Sequence, residues 1–140
     1  MDACTFFGHR DTLASAEPFL HAVLIDLIET KSVRLFYVGC QGNFDLMAQR
    51  QLNLLSCSYD IQFYIVQAYL PQKSGVEHSI TNSIFPEGLE CVPRRFAICK
   101  RNLWMIERCR YVVTYIRYCT GNAEKMKQLA IRKGKTIISI

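Results

Sequence analysis

Two stretches of this chain combine the residue types and spacing needed to hold an anion or the polar edge of a small ligand. The first is Cys4-Thr5-Phe6-Phe7-Gly8-His9-Arg10-Asp11, and the second is Phe36-Tyr37-Val38-Gly39-Cys40-Gln41-Gly42-Asn43-Phe44-Asp45. Each reads as an apolar strand that breaks at a glycine. In the second, glycines three apart lead straight into a helix, whose N-terminus leaves backbone N–H groups free to meet an anion. Around them stand side chains of matching chemistry. Arg10 can grip an oxyanion with two parallel bonds, and a neutral His9 can donate or accept. Gln41 lies within the turn. Asn43 reads as a helix N-cap, and Asp45 in the first helical turn either complements the helix dipole or receives ribose hydroxyls. Gly39 and Gly42 permit a tight turn that also lets backbone approach a ligand closely.

A third turn of the same kind occurs at Tyr118-Cys119-Thr120-Gly121-Asn122, making Thr120 and Gly121 further candidates for anion contact. Arg95, Arg101 and Asn102 form a second polar group, placed to reach a pocket from the early turns of another helix. Acid–base chemistry has two weak candidates, Glu124 and Asp45. Metal chemistry has none. The seven cysteines, at 4, 40, 57, 91, 99, 109 and 119, contain no C-x-x-C pair, and their odd number argues against a complete disulfide framework. Cys40 lies near a helix N-terminus, a setting that lowers thiol pKa, but packing is its simpler role.

These residues need elements to position them, and hydrophobic periodicity supplies the order. Residues 3–7 form a strand. A helix begins near Ser15, as cap, with Pro18 in its first turn, and runs to Thr30 on a face of Leu20, Val23, Leu24, Leu27 and Ile28. Residues 34–38 form the second strand, followed by a helix from Asn43 to about Leu55. Residues 61–69, almost continuously apolar, read as a third strand covered on both faces. Residues 70–93, with Pro71, Gly75, Pro86, Gly88 and Pro93, show no period and are expected to form a lid or edge over the pocket. Arg95 to Cys109 return to helical spacing, with Phe96, Cys99, Leu103 and Ile106 as the buried stripe. Residues 111–116 are a fourth strand. A last helix carries Met126, Leu129 and Ala130 inward and stops at Gly134, before a fifth strand at 135–140. This alternation predicts a single α/β domain spanning 1–140. Its sheet is doubly wound, mainly parallel and five-stranded, with helices on both faces and ligands at the carboxyl ends of the strands.

Composition narrows the function. With 140 residues, half of them hydrophobic and 21% charged, the chain can bury a core and is not disordered. No run approaches the roughly 20 apolar residues of a membrane span, and Met1-Asp2-Ala3-Cys4 is no cationic leader, so a cytoplasmic protein without membrane contact is expected. The net charge of +5 is spread along helices rather than interleaved with aromatics, which makes nucleic acid an unlikely partner. Aromatic and cysteine content is consistent with a homo-oligomer.

Four pieces taken together resemble the SLOG superfamily, and more narrowly its small bacterial members of unassigned function. They are Phe6-Phe7-Gly8-His9-Arg10, the Gly39-x-x-Gly42-x-x-Asp45 turn, Arg95-Phe96-Ala97-Ile98 with Arg101-Asn102-x-Trp104-Met105-Ile106, and Thr120-Gly121 before the last helix. The resemblance spans nearly the whole chain. It implies a Rossmann-like fold and binding of nucleotides or nucleotide-derived ligands such as NAD metabolites, ADP-ribose or nucleoside phosphates. It implies no required cofactor beyond a bound nucleotide or phosphate. Related LOG phosphoribohydrolases cleave an N-glycosidic bond and carry a Pro-Gly-Gly-x-Gly-Thr-x-x-Glu loop. Here the corresponding run is Cys119-Thr120-Gly121-Asn122-Ala123-Glu124, shorter and without the glycine series, and Cys109-Arg110 stand where relatives tend to have Asp. The expectation is therefore a binding or sensing module, with nucleotide N-glycosidic hydrolysis as the alternative.

Overall fold

The computed structural model describes residues 2–69 and 82–140. Six strands form one sheet in the order β4-β3-β2-β1-β5-β6, with every neighbouring pair parallel. They are β1 (Ala3–Gly8), β2 (Leu35–Val38), β3 (Gln62–Val66), β4 (Ser83–Ile84), β5 (Tyr111–Tyr115) and β6 (Thr136–Ser139). The helices are α1 (Glu17–Glu29), α2 (Asn43–Leu55), α3 (Arg94–Arg108) and α4 (Asn122–Arg132). The chain winds outward from β1 through β2, β3 and β4, then returns to lay β5 and β6 on the other side. The reversal thus falls at β1, and in sheets of this type the crevice beyond the carboxyl ends at such a point takes ligands.

Alternation along the central strands divides the core. Cys4, Phe6, Phe36, Val38, Val113 and Tyr115 pack with Leu20, Leu24, Leu27 and Ile28 of α1 and with Phe44, Met47, Ala48 and Leu52 of α2. Phe7 and Val112 face the other way, toward Met105 and Ile106 of α3 and Met126 and Ala130 of α4. β1 and β5 are buried over nearly their whole length, as a parallel sheet sandwiched by helices requires.

Several boundaries differ from the sequence expectation. The sheet has six strands rather than five, because Ser83–Ile84 pair with Ile65 and Val66; two residues carry no readable pattern. The third strand spans Gln62–Val66 instead of 61–69 and is mostly half-buried, since its outer neighbour is only that short strand. Of the proposed lid, residues 70–81 lie outside the described residues, while 82–93 hold β4 and a 3-10 turn at Leu89–Cys91. Ser15 caps nothing: a 3-10 turn at Ala14–Ala16 leads into α1, whose first turn does contain Pro18. Asn43 is the first helical residue of α2, and the cap is Gly42. Gly134, at φ 76, follows the last turn of α4 and stops it as expected. No helix among the described residues is long and apolar enough to cross a membrane.

The largest difference lies in α3. Its inward side is Ala97, Arg101, Asn102, Met105 and Ile106, while Phe96 is 48% exposed and Cys99 is exposed. Periodicity sets the width of a buried stripe but not its phase, and the phase expected from apolar residues alone was displaced because this helix turns an arginine and an asparagine inward.

Gly42 and Gly121, the caps of α2 and α4, have nearly the same conformation, with φ 104 and φ 105 and ψ near 180. Only glycine adopts this region without strain, at a cost to other residues of about 1–3 kcal/mol. A Cβ on Gly121 meets nothing within 4 Å, whereas one on Gly42 would sit 2.6 Å from Arg10 Cα. Gly121→Ala is therefore expected to lose about 1–3 kcal/mol through backbone strain alone. Gly42→Ala should lose clearly more, and denaturant titration of the pair measures the difference.

Candidate functional site

A cavity of about 290 Å3 opens beyond the carboxyl end of β1. β1 and its loop contribute Phe6, Phe7, Gly8 and Arg10. The turn into α2 contributes Gln41 and Asp45, α3 contributes Arg95, Ile98, Cys99, Arg101, Asn102 and Met105, and α4 begins at its wall with Asn122 and Ala123. Three β-to-α transitions and one helix face thus meet in one hollow at the reversal of strand order.

The junctions after β1 and β2 are fastened to each other. Gly42 packs on Arg10, the Asn43 N–H donates to the Arg10 carbonyl at 2.9 Å, and Asn43 Nδ2 reaches the Thr12 carbonyl at 3.5 Å. The Gln41 N–H donates to Asp45 Oδ2 at 2.9 Å. The Gln41 and Asn43 amides are thereby occupied by the protein's own oxygens. The start of α4, where Asn122 and Ala123 line the wall, is the helix end that opens onto the hollow.

Arg101 is 2% exposed yet lines the cavity. Its Nε donates to Asn102 Oδ1 at 2.7 Å and its Nη1 to the Val66 carbonyl at 3.0 Å, tying α3 to the end of β3. Ion pairs within 4.0 Å among the described residues are Arg50–Glu17 and Arg110–Asp2, so the Arg101 charge has no carboxylate that close. Asp45 is the carboxylate whose titration its charge influences. Burial pushes its carboxyl up to about 6 from 3.8, against the opposing pull of the Gln41 N–H and of the Arg101 charge. Gly39 leaves room for both: a Cβ there would stand 2.8 Å from Asp45 Oδ2 and 3.1 Å from Arg101 Nη1. A side chain at Gly39 would thus crowd Asp45 and Arg101, and one at Gly42 would strike Arg10.

Gly8, Arg10, Gln41, Asp45, Arg95, Arg101 and Asn102 line one cavity; His9, Gly39, Gly42, Asn43, Thr120 and Gly121 do not. His9 is buried and works as a strut. Its Nε2 accepts the Arg117 N–H at 2.9 Å, and its ring stacks on Tyr118 with centroids 3.8 Å apart, joining the β1–α1 loop to the β5–α4 loop. Thr120 is exposed, and Gly121 sets the start of α4. Glu124 accepts from Gln128 Nε2 at 2.9 Å along its own helix and does not line the cavity. Cys40 Sγ lies 3.4 Å from Gln67 Oε1, also off the cavity. Among the described residues no group of three metal-binding side chains converges. Residues missed from the sequence include Ile98 and Met105, which lie three before and four after Arg101. Phasing α3 on Arg101 instead of Phe96 would have found them.

No protein-family model matches the chain, and no curated protein matches it. Among solved structures, the X-ray structure of DNA processing protein A (DprA) from Streptococcus pneumoniae superposes with a TM-score of 0.71 at 12% sequence identity. The superposition covers 99% of this chain and 50% of that one, so the chain spans half the length of that protein. At this identity the likeness speaks to fold: the chain has the Rossmann-like α/β architecture that its resemblance to the SLOG superfamily implied.

Proposed function

We propose that this domain binds a nucleotide-derived small ligand, of the nucleoside phosphate, ADP-ribose or NAD-metabolite type, in the cavity beyond β1. The observation that carries the reading is the buried Arg101, with no carboxylate within 4.0 Å among the described residues and opening on a hollow that Arg10 and Arg95 also line. A buried guanidinium hydrogen-bonded only to the neutral Asn102 amide and Val66 carbonyl carries a desolvation cost that an incoming anion relieves. Arg10 and Arg95 at the exposed mouth add reach for a phosphate, and guanidinium geometry suits phosphate oxygens. Phe6, Phe7, Ile98 and Met105 supply the apolar wall that a base or sugar face needs.

A thermal-shift screen with NAD, ADP-ribose, cyclic nucleotides and nucleoside phosphates tests it, since selective binding raises apparent stability by mass action. At least one of these is expected to raise the melting temperature. Arg10→Ala and Arg95→Ala should each weaken that ligand about tenfold, the loss of one charge-assisted bond of roughly 1.5 kcal/mol. A flat screen overturns the reading.

The alternative, N-glycosidic hydrolysis, is favoured by one observation: Asp45 combines cavity access with a carboxyl held near 6, the range useful for proton transfer. Glu124 lacks both. Free base released from nucleoside monophosphates, and lost in Asp45→Asn, would establish it. Nucleic acid was expected to be an unlikely partner, and the likeness to a DNA processing protein argues the other way. Steeply salt-dependent binding of an oligonucleotide would decide for it. Exposed Leu13, Phe19 and Leu54 offer apolar surface to a homo-oligomer, which sedimentation would read directly.

A further inference from the structure

We infer that the gap between Asp45 and Arg101 on the cavity floor is a hydroxyl subsite, which takes one O–H of the ligand's sugar diol and so selects ribose over its deoxy forms. The inference rests on the reading of the cavity as a nucleotide-type site and adds to it which sugar that site accepts.

The spacing comes first. Asp45 Oδ2 and Arg101 Nη1 stand 2.8 and 3.1 Å from one point above Gly39, so they are no further apart than about 5.9 Å, the sum of the two. They form no ion pair within 4.0 Å. An oxygen hydrogen-bonded to two partners at about 2.7–2.9 Å each holds them roughly 4.5–5.5 Å apart, inside that window. The separation, above 4.0 Å and at most about 5.9 Å, admits one bridging oxygen.

Free valence comes second. Arg101 has five donors, of which Nε and one on Nη1 are taken by Asn102 and Val66. Asp45 accepts one protein N–H, from Gln41, against a carboxylate's capacity of about four. Among the described residues no buried side-chain polar atom is left without a partner. Arg101 Nη2 and Asp45 Oδ1, which have no partner among the described residues, are therefore not sealed off from the open cavity that both residues line.

Chemical type comes third. Arginine only donates, and an ionised aspartate only accepts. A group set between them has to accept from one and donate to the other, which a hydroxyl does and an ether, a carbonyl or a phosphate oxygen does not. A Cβ on Gly39 would crowd both groups. The phosphate would then belong at the mouth, by Arg10 and Arg95, away from the Asp45 carboxylate.

The test is calorimetric titration of the wild-type protein, above the Asp45 titration range, with the four nucleoside 5′-monophosphates and with their 2′-deoxy, 3′-deoxy and 2′-O-methyl forms. Loss of the bridging hydroxyl strands a buried donor and acceptor, so one deoxy form, or its O-methyl counterpart, is expected to bind about ten- to a hundredfold more weakly than the ribonucleotide. In Asp45→Asn, the amide oxygen that keeps the Gln41 N–H still faces the gap but as an uncharged, weaker acceptor. The ribo-to-deoxy ratio should then fall in a protein that still unfolds cooperatively. Ribonucleotides that bind with both deoxy forms equal to them overturn the subsite while the ligand class stands. An unchanged ratio in Asp45→Asn overturns it as well. No binding by any of the probes removes the subsite, and the reading beneath it falls only where the thermal-shift screen is flat as well.

Discussion

Asp45→Asn is expected to stabilise the ligand-free protein at neutral and alkaline pH. Burial lifts this carboxyl from 3.8 to about 6, which means the folded state holds a proton that the unfolded chain has already released. Between those two values stability must fall as pH rises, and above about 6 the penalty levels off at its full size. At 1.36 kcal/mol for each pH interval of one, that penalty is on the order of 3 kcal/mol. Asparagine has the same shape, keeps an acceptor for the Gln41 N–H and carries no charge to desolvate. A gain of about 1–3 kcal/mol near pH 8, shrinking to nothing near pH 4, is the expected outcome of denaturant titrations at the two conditions. A loss at high pH would mean that attraction to Arg101 outweighs burial, and the unneutralised arginine behind the binding proposal would be gone. Stability gained by removing a charged group is a common mark of a site kept for function at the expense of the fold.

Gly8→Ala is expected to be the most damaging small substitution in the site. Gly8 ends β1 directly beneath Phe44, and a Cβ would lie 2.7 Å from Phe44 Cβ and closer still to its ring. Phe44 has nowhere to go. It is 1% exposed, its ring stacks at 6.2 Å from Tyr115, and it belongs to the first turn of α2. The helix start must therefore move, and Asp45 with it. Overpacking of this kind costs about 1–3 kcal/mol and more where backbone must shift, so a loss of about 3 kcal/mol or greater is expected, together with loss of the ligand-induced melting shift. Phe44→Ala alone leaves a void and destabilises, but in the Gly8→Ala background it also removes the ring that the new Cβ would meet first, so the two losses are expected to be less than additive, a coupling that a double-mutant cycle reads.

Much of this molecule was legible in its amino acids. The alternation of short apolar runs with helical stripes was enough for a doubly wound parallel sheet, because strand and helix periods are local properties of the chain. Breaks at Gly8, Gly39 and Gly121 marked the β-to-α junctions for the same reason: a missing side chain is visible in one residue. Proximity of the first two junctions followed from topology, and seven of the thirteen ligand-contact candidates do line one cavity.

What sequence spacing could not supply was direction. Whether His9 points into the hollow or braces a neighbouring loop depends on Arg117 and Tyr118, more than a hundred positions away. The backbone amides at Gln41 and Asn43 look free from local sequence and are occupied by Asp45 and Arg10 once the two turns are set side by side. The phase of α3 depended on tertiary structure too, since hydrophobicity would turn Phe96 inward and the cavity required Arg101 and Asn102 instead. Local periodicity reports which residues can share a face, whereas which face meets which partner is decided by long-range packing. A binding site, being the place where partners from distant segments converge, is the part of the molecule that only the folded chain defines.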